Sequence, residues 1–85
     1  MKYNGWANRS TWNVNLWIGN DEKLYRMVLK MGETSTSQGD FADRLEGLLL
    51  TIWNGETPDG DSLAPVDWVD ICDQFAEGHE IRIPF

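Results

Sequence analysis

The chain has one cysteine, Cys72, and one histidine, His79, in 85 residues. A single thiol excludes an internal disulfide and any zinc site built on paired cysteines, and it fits a reducing compartment. Cys72 falls at an apolar position of a helical repeat, where cysteine behaves as a small hydrophobe rather than a nucleophile. His79 follows Gly78 with no serine or cysteine set beside it by a local motif, which leaves no nucleophile and base for covalent catalysis. The eight glycines stand singly, without the GxGxxG or GxxxxGK[ST] spacing by which a backbone cradles phosphates. Also missing is any apolar run near the roughly 18 residues of a membrane span, and the N-terminus has none of signal-peptide length. A soluble, cytoplasmic protein that is not an enzyme and needs no cofactor is expected.

Metal binding is tested by "DGD", where Asp59 and Asp61 bring two carboxylates close. A calcium-binding EF-hand loop needs glycine at its sixth position and glutamate at its twelfth; counted from Asp59, these are Ala64 and Asp70. The match fails, and no metal site is expected.

What the chain does have is aromatics, with five Trp, three Phe and two Tyr. A domain this small buries only about 60% of its unfolded surface, so it needs nearly every large side chain inside. Trp6, Trp12 and Trp17 crowd the stretch "NGWANRSTWNVNLW". Tryptophan can stack on a base or fill a core, but a stacking platform also wants interleaved Lys and Arg, and only Lys2 and Arg9 lie nearby. These three tryptophans are therefore read as core or near-core.

Turn and cap signals divide the chain into short elements. Asn4-Gly5 marks an early turn, and Ser10 or Thr11 is a good N-cap for a helix with Trp12 and Leu16 on one face. A strand competes over the same residues, because Trp12, Val14, Leu16 and Ile18 also alternate; the helix is preferred because it runs into a second cap at Asn20. A second helix follows, with Leu24, Met27, Val28 and Met31 at helical spacing, Lys23, Arg26 and Lys30 opposite, and Gly32 as its stop. A third runs from about Asp40, with Phe41, Leu45, Leu48, Leu49 and Ile52 inward, and closes at Asn54-Gly55. Pro65 suits the first position of a fourth, whose inward face is Trp68, Val69, Cys72, Phe75 and Ala76. The tail "HEIRIPF" alternates as a short extended segment would. The expected fold is mainly α: a compact single domain of about four short helices over residues 1–85, with that extended segment at the C-terminus.

The net charge of −7 is unevenly placed. Met1 to Gly32 carries five cations against two acids, or +3, whereas Glu33 to Phe85 carries twelve acids against Arg44 and Arg82, or −10. On the fourth helix, Asp67, Asp70, Asp73 and Glu77 recur at intervals of three, three and four, which sets them along one face, and Asp59 and Asp61 extend the charge into the preceding loop. Like charges at these spacings cost a few tenths of a kcal/mol per pair. No Lys or Arg relieves them between Asp59 and Glu80, although soluble surfaces usually intersperse both signs. These six residues are the expected partner-binding site, a row of carboxylates that imitates spaced phosphates and occupies a basic groove on a protein that handles nucleic acid. Direct nucleic-acid binding is not expected under this reading, nor a membrane partner, and the protein is a monomer or small homo-oligomer. Two other classes stand beside it: a nucleic-acid-binding regulator using Lys23, Arg26 and Lys30, and a structural or assembly protein with aromatics at a subunit interface.

The segment "NGWANRSTWNVNLWIGNDE", Asn4 to Glu22, resembles the N-terminal signature of small proteins of bacteriophages, plasmids and other mobile elements, mostly without assigned activity. The matching positions are Asn4, Gly5, Trp6, Asn8, Thr11, Trp12, Asn13, Leu16, Trp17, Asn20, Asp21 and Glu22. Members typically carry Tyr-Glu before the Thr-Trp pair, where this chain has Arg9 and Ser10. The resemblance implies a mobile-element setting in a bacterial host cell. Small acidic phage proteins often block host defence there, as anti-CRISPR or anti-restriction inhibitors.

Overall fold

A computed structural model describes residues 4–78 of the chain, and each of its four helices begins on a side chain that accepts a backbone N–H. Asn8 caps α1 (Arg9–Asn20) by accepting from the Thr11 N–H at 2.9 Å. Asp21 caps α2 (Glu22–Thr34) through the Leu24 N–H, so a single residue separates the first two helices. Ser37 caps α3 (Gln38–Trp53) through the Asp40 N–H. Asp67 does the same for α4 (Trp68–Gly78) through the Asp70 N–H at 3.0 Å. Each cap satisfies an amide that the helix leaves unpaired and is worth about 1 kcal/mol. Asn54 ends α3 in the left-handed conformation, with φ of 54°, which its short polar side chain tolerates.

The fold is mainly α, as expected, and no strand occurs among the described residues. The caps lie elsewhere than the local signals placed them: Asn8 rather than Ser10 or Thr11, and Asp21 rather than Asn20. Helix α2 runs through Gly32 to Thr34, and α3 begins at Gln38 rather than Asp40. Pro65 lies before α4 and not at its first position, because Asp67 offers the capping oxygen. The extended tail falls on residues 79–85, outside the described ones.

Packing runs around the bundle: α1 on α2, α2 on α3, α3 on α4, and α4 back on α1. Val14 and Ile18 of α1, Leu24 and Val28 of α2, Phe41, Leu45 and Leu49 of α3, and Ile71, Cys72 and Phe75 of α4 form one buried core. Leu63 and Val66 from the 54–67 connection close it, and the Tyr25 and Phe75 rings meet at 5.9 Å between centroids. Burial pushes the Cys72 thiol up to about 12, with the neighbouring Asp73 charge acting in the same direction, so it stays protonated as a small core side chain.

The first helix packs in a different phase from the expected one. Trp12 is half-buried and Leu16 is exposed, while α1 buries Thr11, Asn13, Val14 and Ile18. Trp6 and Trp17 are also half-buried, and Trp6 packs against the core; Trp68 is buried. On α4, Ile71 takes an inward position, and Val69 and Ala76 are exposed. Ile52 at the end of α3 is exposed as well.

Candidate functional site

The two buried polar residues of α1 explain its phase. Thr11 Oγ1 donates to Asn8 Oδ1 at 2.9 Å and accepts the Asp67 N–H at 2.9 Å, so one hydroxyl joins the starts of α1 and α4. Asn13 donates through Nδ2 to Asp59 at 2.8 Å, and the Trp17 indole N–H donates to the same oxygen at 3.0 Å. Asn13 and Trp17 are four residues apart and present both donors on one face of the helix. The Asn13 Oδ1 is buried without a hydrogen-bond partner, a penalty of about 1–3 kcal/mol accepted in order to aim the N–H at Asp59. These two donors, and secondarily the Arg9 charge, hold the Asp59 carboxyl below the usual carboxylate range.

The remaining described acids of the expected site have intramolecular partners too. Asp61 pairs with Arg9 at 3.3 Å, across a largely exposed gap where such a pair is worth at most about 1 kcal/mol. Asp67 is occupied as the cap of α4. Asp70 accepts the Ala7 N–H at 3.0 Å, and Asp73 accepts from the Gln38 side chain on α3. Glu77 lies on α4, and its side chain is outside the described residues. Asp70 and Asp73 stand one turn apart on the fourth helix, as spacing requires, while Asp59 and Asp61 are drawn towards α1. A carboxylate has about four lone-pair sites, so one or two internal hydrogen bonds leave each acid able to accept from outside.

The structure adds two acids that the sequence reading passed over. A cleft of about 480 Å³ opens between α3, the Pro65–Val69 turn and the Ala7–Asn8 segment. Asp43, Glu46 and Asp67 supply its carboxylates, and none of its lining residues is a Lys or Arg. Asp43 and Glu46 make no hydrogen bond or ion pair among the described residues. They stand three apart on α3, Asp43 exposed and Glu46 half-buried at the flank of the inward face, and the spacing count that found the α4 row finds them equally when applied to α3. No cluster of three or more His, Cys, Asp or Glu side chains among the described residues is arranged to hold a metal ion.

The basic residues of α2 are elsewhere. Lys23, Arg26 and Lys30 line a separate groove of about 590 Å³ together with Arg44 of α3, over Met27 and Met31.

The described residues form a small bundle of four helices with opposite charges gathered at different places on its surface. The chain belongs to a family of unknown function, DUF7249, which matches residues 1–82. No curated protein and no solved structure matches it.

Proposed function

We propose that this is a non-enzymatic binding protein that sets its acidic α3–α4 side against a basic, nucleic-acid-binding groove of a host protein complex, as an inhibitor borne by a phage or other mobile element. The observation that carries the reading is the cleft bounded by Asp43, Glu46 and Asp67, with no cation in its lining. Asp70 and Asp73 continue it along α4, each step rising roughly 4.5 Å along the helix axis. A Lys or Arg side chain from a partner finds several carboxylates within reach there, and the field attracts basic surfaces over about one Debye length, roughly 8–10 Å at ordinary ionic strength. The mobile-element setting is an analogy from the resemblance of Asn4 to Glu22, and it supplies the class of partner: CRISPR effectors or restriction enzymes, whose channels bind phosphates.

The test is affinity capture of the tagged protein from a bacterial host lysate, washed at low and high salt. The reading expects a nucleic-acid-handling complex that is released by salt or by competing DNA. The Asp43→Asn/Glu46→Gln/Asp73→Asn variant, in which the cap at Asp67 is left intact, should lose that complex while keeping its helical circular dichroism. Equal retention by this variant, or recovery of nucleic acid alone, refutes the proposal.

A further inference from the structure

The outer face of α2 is built differently from the acidic side. Four of the chain's seven Lys and Arg residues, Lys23, Arg26, Lys30 and Arg44, border one open groove, in a protein whose net charge is −7. Its floor is apolar, made of Met27, which is 42% exposed, and Met31, one turn further along the same helix. Arg44 is fixed in place: its Nη1 donates to the Met31 carbonyl at 3.2 Å and the Ser35 Oγ at 3.0 Å at the end of α2, where a cation suits the helix dipole. Arg26 is paired with Glu22, one turn before it. Lys23 and Lys30 have no ion-pair or hydrogen-bond partner among the described residues, and they bracket Met27 at either end.

From Lys23 to Thr34 the groove follows α2 for eleven residue steps, which is roughly 16 Å or three helical turns. We infer that this groove docks an acidic amphipathic helix of a partner protein, which lays two apolar side chains on Met27 and Met31 and sets carboxylates against Lys23, Lys30 and Arg44. Methionine is unbranched and polarisable, so such a floor adapts to different apolar side chains, and the groove length matches anchors at i, i+3 or i+4, and i+7. Two other occupants fit less well. Nucleic acid presents phosphates, which gain nothing from a methionine floor and meet Glu22 in the rim and a net charge of −7 overall. A second copy of the chain carries the same −7 and is repelled.

The inference concerns a different surface from the acidic cleft, and its test separates the two. A displayed library of 16-residue peptides is selected on the immobilised full chain, and the enriched peptides are synthesised and titrated by fluorescence anisotropy. The expected consensus is rich in Asp and Glu, with two apolar residues three or four apart, and its affinity falls at least tenfold for Lys23→Glu/Lys30→Glu and for Met27→Glu. All three positions are exposed, so circular dichroism of both variants should match that of the parent. A purely basic consensus points to the acidic cleft alone and overturns the inference, as does an acidic consensus that binds both variants unchanged. It is equally overturned if a fluorescent 20-base-pair duplex binds the parent and is lost in the variants, or if sedimentation shows a self-association that they abolish.

Discussion

Around the start of α1, three acids of the expected binding row are held by donors from another part of the chain: Asp59 by Asn13 and Trp17, Asp61 by Arg9, and Asp70 by the Ala7 N–H. On the outer face of α2, Lys23 and Lys30 stand with no such partner among the described residues, beside an exposed methionine. The difference separates two uses of charge. Polar groups near α1 organise the fold: the Asp59 and Asp61 carboxylates fix the connection that delivers Leu63 and Val66 to the core, and the Asp70 carboxylate, with the Asp67 N–H on Thr11, places the start of α4. Charges without internal partners, Asp43 and Glu46 on one side and Lys23 and Lys30 on the other, are those the fold does not require.

The contrast breaks most sharply at Asn13. In Asn13→Asp the side chain keeps its size but loses its donor and places a buried carboxylate against Asp59. At neutral pH this should destabilise the protein by about 3–5 kcal/mol, the scale of an uncompensated buried charge. The new acid is pushed towards its neutral form, so the loss should shrink as pH falls into the carboxylate range. Urea unfolding at pH 7 and pH 4 reads both effects.

Asp59→Asn probes the same contact more gently. The folded Asp59 has its pKa below the ordinary value of 3.8, so the stability it contributes is fully present above that value and is lost as pH falls through the lower, folded one. The variant should therefore be less stable than the parent at pH 7, and the two stability curves should converge at the acidic end. Parallel curves from pH 7 to pH 2 are the contrary result. The smallest effect belongs to the other region: Lys23→Glu/Lys30→Glu should alter folding stability by no more than about 0.5 kcal/mol, as substitutions at unpartnered surface positions do.

Much of the architecture was legible locally. Four helices, the Asn4-Gly5 turn, the Asn54-Gly55 stop and most of the apolar faces of α2 and α3 follow from spacing and turn chemistry. The phase of α1 was not, because apolar periodicity counts Trp12 and Leu16 but assigns no value to a buried threonine or asparagine. Thr11 and Asn13 are buried because their partners lie 56 and 46 residues away, at Asp67 and Asp59, and no local pattern carries that information. The same limit applies to the site. Spacing alone put Asp67, Asp70 and Asp73 on one side of α4, but not their internal hydrogen bonds. Nor did it put Asp43 and Glu46 next to Asp67, since that adjacency is made by α3 packing on α4. Arg44 reads in sequence as an isolated cation in an acidic half, and only the packing of α3 on α2 brings it to the basic groove. Asn8, Arg9, Thr11, Asn13 and Trp17 bind the first helix to the 54–67 connection and the start of α4.

We propose that two separate surfaces of opposite charge are left for partners once the fold has used its own polar groups. It is tested most directly by amide NMR titration of the full chain with two probes, a ten-residue Arg-Ala repeat and a 16-residue helix with Leu at i, i+4 and i+7 on a Glu background. The basic probe should shift the amides around Asp43, Glu46 and Asp67 to Asp73, and the acidic probe those from Lys23 to Thr34 and Arg44. Both probes shifting the same residues, or the acidic probe leaving α2 unperturbed, would contradict the proposal.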